Sequence, residues 1–179
     1  MESISLREPT AVDAAELEEL ITAHFSEGSS YTVELGIGDP TYHARIAEND
    51  HSILGVMAIN LFDDPVGAAD EMYFFDDPEL LPAADRYGLL EMGYVRPEST
   101  GQGIGSRLLE RVESLGIEHG VDCFLADSWY HGGPDSPESL FRGHGYETVH
   151  REPFDRPAEE CPKCEDNCVC AAGLAVRHM

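Results

Sequence analysis

Val95-Arg96-Pro97-Glu98-Ser99-Thr100-Gly101-Gln102-Gly103-Ile104-Gly105-Ser106-Arg107-Leu108-Leu109 is the stretch whose reading decides the rest of the chain. An apolar run ends at Val95 and a glycine-rich turn follows. Ile104, Leu108, Leu109, Val112 and Leu115 then recur at helical spacing. The pattern predicts a strand, a turn and a helix over residues 103–119. Gly101, Gly103 and Gly105 leave backbone N–H groups uncovered where that helix begins, at its positive end. Such a turn suits a phosphate or pyrophosphate, although an ordinary tight turn ahead of a helix carries the same glycines. No Gly-Lys-Ser/Thr follows, so the turn is not a P-loop. The G-x-G-x-G spacing and its mid-chain place do not fit a dinucleotide fingerprint.

Outward from this stretch, residues 87–95 predict the strand that feeds the turn. Before it come a short alternating strand at 3–7, a helix over 13–25 and strands at 42–46 and 53–62, with Asn49-Asp50 as the turn between the last two. Residues 28–40 read as a loop, a broken helix or an edge strand. Residues 63–84 form a long acidic connection carrying Met72-Tyr73-Phe74-Phe75, whose aromatics either pack on the body or line an acceptor pocket. After the helix come a strand at 121–126, a short helix at 136–144, and strands at 146–151 and 174–177.

The turn resembles the signature of the GNAT acyltransferase family, Arg/Gln-x-x-Gly-x-Gly/Ala after a strand ending in Val-x-Pro. Here it reads Val95-Arg96-Pro97, then Thr100-Gly101-Gln102-Gly103-Ile104-Gly105. Leu140-Phe141-Arg142-Gly143-His144-Gly145-Tyr146 is similar to the family's Phe-Tyr-x-x-x-Gly-Phe segment. The resemblance covers nearly the whole chain and implies an α/β fold with a mixed, mostly antiparallel sheet of six to seven strands. That sheet splays at the cofactor, with helices on both faces. One domain over residues 1–179 is expected, with a cysteine-rich hairpin at 155–172. The resemblance also implies acetyl-CoA as cosubstrate, its pyrophosphate held by Thr100, Gly101, Gln102, Gly103, Ile104, Gly105 and Ser106. Its pantetheine arm pairs along Met92, Tyr94 and Val95, and Phe141 lies alongside. Two positions depart from the family. Thr100 stands at the Arg/Gln position, and Phe141 stands where the family often has a tyrosine that protonates the coenzyme thiolate.

Acyl transfer to an amine needs a held thioester, a polarised carbonyl and a base for the ammonium. Glu91, between Leu90 and Met92, is the candidate base, or else a solvent-facing strand residue. Tyr130 and His131, just past the fifth strand, are candidates to assist in place of the tyrosine absent at Phe141, or else an interface aromatic and a loop histidine. The expected activity is N-acetylation of a primary amine, on a small molecule or a protein. The alternatives are a catalytically degenerate CoA-binding sensor and a metal- or redox-dependent interaction module.

The last alternative comes from Cys161-Pro162-Lys163-Cys164 and Cys168-Val169-Cys170, a C-x2-C-x3-C-x-C pattern. Four thiols this close read first as a metal site, with zinc bound by Cys161, Cys164, Cys168 and Cys170 as a structural staple. An iron–sulfur cluster, a redox-labile dithiol and plain thiols remain alternatives. Cys123, in an apolar strand, reads as core.

Composition bounds the partners. Among 179 residues, 35 acidic side chains face 11 basic ones, for a net charge of −24. Such a charge repels nucleic acid and anionic lipid at ordinary ionic strength. Spread over a folded chain, it is tolerable when screened, and at molar salt the Debye length is about 3 Å. The pattern resembles that of proteins from salt-accumulating archaea. No run of about 18 apolar residues exists, and the first residues carry neither a basic segment nor an apolar stretch. A cytoplasmic monomer or homodimer is expected, with no nucleic-acid or membrane partner.

Overall fold

The computed structural model describes residues 3–25, 34–133, 136–155, 157–161, 164 and 166–179. In chain order its elements are β1 (Ser5–Arg7), α1 (Ala14–Phe25), β2 (Tyr42–Glu48), β3 (Ile53–Phe62), α2 (Pro65–Glu71), β4 (Tyr87–Val95), α3 (Ile104–Glu118), β5 (Cys123–Tyr130), α4 (Pro137–Gly143), β6 (Glu147–Pro153) and β7 (Ala171–His178). The seven strands lie in the order β1-β2-β3-β4-β5-β7-β6, an open and mostly antiparallel sheet with helices around it. The chain forms two compact units, Met1–Asn60 with Leu90–His119 and Leu61–Leu89 with Gly120–Met179. Part of the segment at 28–40, left open between loop, broken helix and strand, lies outside the described residues. Its described part, 34–40, is turn and irregular chain.

In the first unit, Leu17 and Leu20 of α1 pack with Leu35, Ile46, Ile53 and Val56, and Met92 and Tyr94 close the cluster. Fully burying such an aliphatic side chain contributes about 1.5–3 kcal/mol. The entry to α1 is held by charge. The Thr10 backbone N–H donates to Asp13 Oδ2 at 2.6 Å, and Arg7 donates to both Asp13 carboxylate oxygens at 2.8 and 2.9 Å. Arg7 also pairs with Glu48 at 2.8 Å, tying β1 to β2. The Arg7 hydrogen bonds hold the Asp13 carboxyl below the usual carboxylate range. Gly55 allows β3 its close neighbours: a Cβ there would lie 2.8 Å from the Tyr94 carbonyl oxygen and 3.2 Å from Leu108 Cδ1 of α3.

In the second unit, the connection at 63–84 contains α2, which the sequence reading missed. Its signal was local: Asp64 caps it, accepting from the Gly67 N–H at 2.8 Å, and Pro65 takes the first turn. Ala68, Ala69, Met72 and Phe75 bury themselves against Leu89, Leu125 and Leu174. The aromatic run therefore splits. Phe75 is core, while Tyr73 is 87% exposed. β4 pairs parallel with β5 from Tyr87↔Cys123 to Leu89↔Leu125, as a strand–helix–strand crossover through α3 requires. β5 runs four residues beyond its expected end, so Asp127 to Tyr130 are strand and not loop. They pair antiparallel with β7 as far as Tyr130↔Ala171. Small residues in β7 make this fit, because a Cβ on Gly173 would sit 2.2 Å from the Tyr130 ring.

Candidate functional site

The first unit holds the expected cofactor residues other than Phe141 on consecutive pieces of chain, while Phe141 lies in the second unit. β4 does not stay regular to its end. Met92 has φ 51°, and among the described residues no other non-glycine residue has positive φ. A left-handed residue inside a strand interrupts the side-chain alternation and turns its backbone groups aside, at a strain of about 1–3 kcal/mol. Arg96 then anchors the exit. Its N–H donates to the Leu54 carbonyl at 2.8 Å and its Nε to the Ile53 carbonyl at 2.5 Å. Its guanidinium meets Glu16 at 3.3 Å, and the same Glu16 oxygen accepts the Ile53 N–H at 2.7 Å. The chain after β4 is thus bolted to β3 and α1.

Pro97–Ser99 make one 3-10 turn. Gly101 and Gly103 follow at φ 76° and 77°, with nothing within 4 Å of where a Cβ would stand. Gly103 is the N-cap of α3, with no side-chain cap. The first helical bond runs from the Arg107 N–H to the Gly103 carbonyl at 3.1 Å. The amides of Ile104, Gly105 and Ser106 therefore precede the helix's own hydrogen bonding, next to the exposed Gly101 and Gly103. Thr100, at the family's Arg/Gln position, turns its hydroxyl back to donate to the Pro97 carbonyl at 2.9 Å. It stabilises the turn instead of reaching outward. An uncapped helix start behind a glycine turn is an arrangement that suits an anion.

Glu91 is half-buried in β4. Burial, then the charges of Glu91 and Glu34, push the Tyr42 phenol above its ordinary value. Tyr42 of β2 is thus a neighbour of the candidate base that the sequence reading placed only as a strand residue.

The second unit holds the other candidates. Tyr130 is buried, and its hydroxyl shares a hydrogen bond of 3.1 Å with the Thr148 hydroxyl. The Arg151 guanidinium lies 5.5 Å from its ring. His131 is half-buried, and its Nδ1 accepts the Gly133 N–H at 3.0 Å. The neutral ring therefore carries its proton on Nε2. Phe141 of α4 is buried beside Tyr146, ring centroids 5.3 Å apart. Asp127, in β5, is a residue that the sequence did not single out. Its Oδ2 accepts the N–H groups of Tyr73 and Phe74, the latter at 2.8 Å, while Oδ1 is buried with no hydrogen bond among the described residues. Burial pushes its carboxyl up to about 6, against the pull of those two amides. The sulfurs of Cys161, Cys164, Cys168 and Cys170 all lie within 4.8 Å of one another, a set that can hold a metal ion.

The family model for the acetyltransferase (GNAT) family matches residues 10–131, and the chain belongs to that family. Solved structures agree on the fold. A mosquito arylalkylamine N-acetyltransferase like 5b superposes with TM-score 0.66 at 17% identity, covering 99% of this chain and 100% of that one. The putative acetyltransferase yncA from Salmonella typhimurium, solved with its cofactor acetyl-CoA, gives 0.64 at 14%, covering 98% and 93%. Arabidopsis thaliana NAA60, in complex with a bisubstrate analogue, gives 0.64 at 14%, covering 98% of each chain. No protein of curated function matches the sequence. Membership supports acetyl transfer, and among the described residues no helix is long and apolar enough to cross a membrane.

Proposed function

We propose that the protein is an N-acetyltransferase that moves the acetyl group of acetyl-CoA to a primary amine. The observation that carries this reading is the backbone cradle at Gly101 to Ser106, opening α3 directly after a strand turned aside at Met92. Bound acetyl-CoA supplies an acyl carbon on a thioester. The amides of Gly101 to Ser106 hold the pyrophosphate, and the irregular edge at Met92, Tyr94 and Val95 offers backbone N–H groups to the pantetheine arm and the acyl oxygen. Glu91 takes the proton from the ammonium, directly or through one water, so that the free amine attacks as the carbon–sulfur bond breaks. The departing thiolate then needs a proton. Phe141 has none to give, so the groups that can supply it are Tyr130, whose hydroxyl shares a hydrogen bond with Thr148, and His131 when its imidazole is protonated. The acceptor is a small amine or a protein α-amine. The same reading gives the four cysteines a structural zinc and the acidic surface a high-salt habitat.

The test is amine-dependent release of free CoA in molar KCl across a broad amine panel, with CoA binding followed by calorimetry. Gly103→Val forces a β-branched residue into a left-handed position and should weaken CoA binding by about tenfold or more while the fold survives. Unchanged affinity would remove the cradle. Glu91→Gln should leave CoA binding intact and slow turnover by about 10²–10⁴-fold. An unaffected rate would pass the base role to another group, His131 first. A second reading, a CoA-binding sensor, is favoured by Phe141. Binding without turnover across the whole panel would support it.

A further inference from the structure

The connection from β6 to β7, residues 154–170, supplies no residue to the proposed acetyl transfer. Among its described residues it contains one short 3-10 turn, Ala158–Glu160, yet Cys161 and Cys170 are buried. A loop of this length needs a fastening, and the sulfurs show its type. Cys170 Sγ is 3.6 Å from both Cys161 Sγ and Cys164 Sγ. A disulfide would bring two sulfurs to about 2.05 Å. A tetrahedral zinc about 2.3 Å from each thiolate separates them by about 3.8 Å. With every pair inside 4.8 Å, the set has the size to enclose one ion. A two- or four-iron cluster interposes sulfide and further metal atoms and spreads its cysteines more widely.

The ring of sulfurs also sits on something particular. The Trp129 indole reaches Cys170. Trp129 is the chain's only tryptophan. Its ring meets Phe154 at 6.3 Å and His131 at 6.1 Å, both edge-on. The Phe154 N–H donates to the Cys170 carbonyl at 3.0 Å. Gly132 lies so close to the loop that a Cβ there would be 2.7 Å from Val169 Cγ2. The four sulfurs, Trp129 and the segment 131–133 thus form one packed group.

We propose that this group is a metal-dependent clamp: one divalent ion, zinc, held by the four thiolates, seats the β6–β7 loop on Trp129 and fixes the end of β5, including His131. Each thiol releases its proton to solvent as it binds, leaving a Zn(S-Cys)4 centre of charge −2. Loss of the ion, by chelation or thiol oxidation, leaves four crowded thiols and loosens residues 129–133. The consequence for His131 in catalysis rests on the acetyltransferase reading; the metal and its grip on β5 do not.

The experiment uses the full chain in reducing, chelator-free molar KCl. Elemental analysis should find about one zinc per chain. After removal, cobalt(II) should restore occupancy with the visible bands of a tetrahedral tetrathiolate and quench Trp129 emission. Trp129→Phe should keep the cobalt bands and lose the emission signal. Hydrogen exchange should show the His131 and Gly133 amides, which donate to Ser136 Oγ and His131 Nδ1, exchanging severalfold faster in the metal-free protein, with α1 and β2 unchanged. Cys168→Ser, at a half-buried ligand, should lose tight cobalt binding and still bind CoA. A chain that takes up neither zinc nor cobalt overturns the site. Metal binding that leaves Trp129 emission and the 131–133 amides unmoved overturns the clamp, whether or not any amine is acetylated.

Discussion

Asp127 shows how one residue can set a pH dependence. Its carboxyl is raised to about 6 by burial, above the unfolded value of about 3.9. The folded state therefore holds the proton more tightly than the unfolded one. The charged form weakens the fold above about pH 6, and this penalty disappears as the pH falls from about 6 to about 4. Asn is isosteric with the neutral acid. Asp127→Asn should raise stability at pH 8 by about 1–2 kcal/mol relative to the parent and leave the two nearly equal at pH 4.5. Urea unfolding at the two pH values in molar KCl measures this. A constant difference between the proteins would mean that the charge of Asp127 is not what matters. Met92 makes the complementary point. Its left-handed backbone is a local strain that the packing of the first unit sustains.

At the scale of the element, the glycine turn works because both its ends are fixed. α3 is fixed by Ile104, Leu108, Leu109 and Val112, all buried. The exit of β4 is fixed by Arg96 on β3 and Glu16. Gly55 sits under both, where β3, the end of β4 and Leu108 of α3 converge. Gly55→Val would push its side chain into the Tyr94 carbonyl and Leu108. The expected loss is about 1–3 kcal/mol of stability. CoA affinity should fall with it, although residue 55 is not part of the cradle. Denaturant midpoints and calorimetry would show both, and intact CoA binding in a destabilised variant would uncouple β3 from the turn.

Over the whole molecule the dominant quantity is charge. With 35 acidic and 11 basic residues, the few arginines are spent on specific joints: Arg7 on Asp13 and Glu48, Arg45 on Glu8, Arg86 on Asp63, Arg142 and Arg151 on Glu138. The exposed pairs among these, such as Arg86–Asp63, contribute at most about 1 kcal/mol each, which does not offset repulsion among the remaining acids once screening is removed. Dilution from molar KCl, where the screening length is about 3 Å, to about 0.01 M, where it is about 30 Å, should lower the melting temperature. A melting temperature that rises on dilution would show that the pairs, and not the repulsion, govern stability.

The sequence by itself determined what is local and periodic. β3 and β4 run as read, because alternation and apolar runs bounded by turns encode them directly. The helix after the glycines, the turn itself and the family follow from one contiguous stretch, and the cysteine spacing brought four sulfurs together as expected. Tertiary structure decided the rest. α2 escaped because its seven residues are too short to show a period and its apolar content is alanine. β5 runs to Tyr130 because Ala171, Ala172 and Gly173 of β7 leave room for large side chains opposite, a pairing across more than forty residues that no local pattern carries. The left-handed Met92, the Glu91 charge beside Tyr42, the buried Asp127 and the seat of Cys170 on Trp129 depend on which segments meet. Backbone twist, burial and electrostatic neighbours are properties of packed neighbours distant in sequence, and composition and spacing do not specify them.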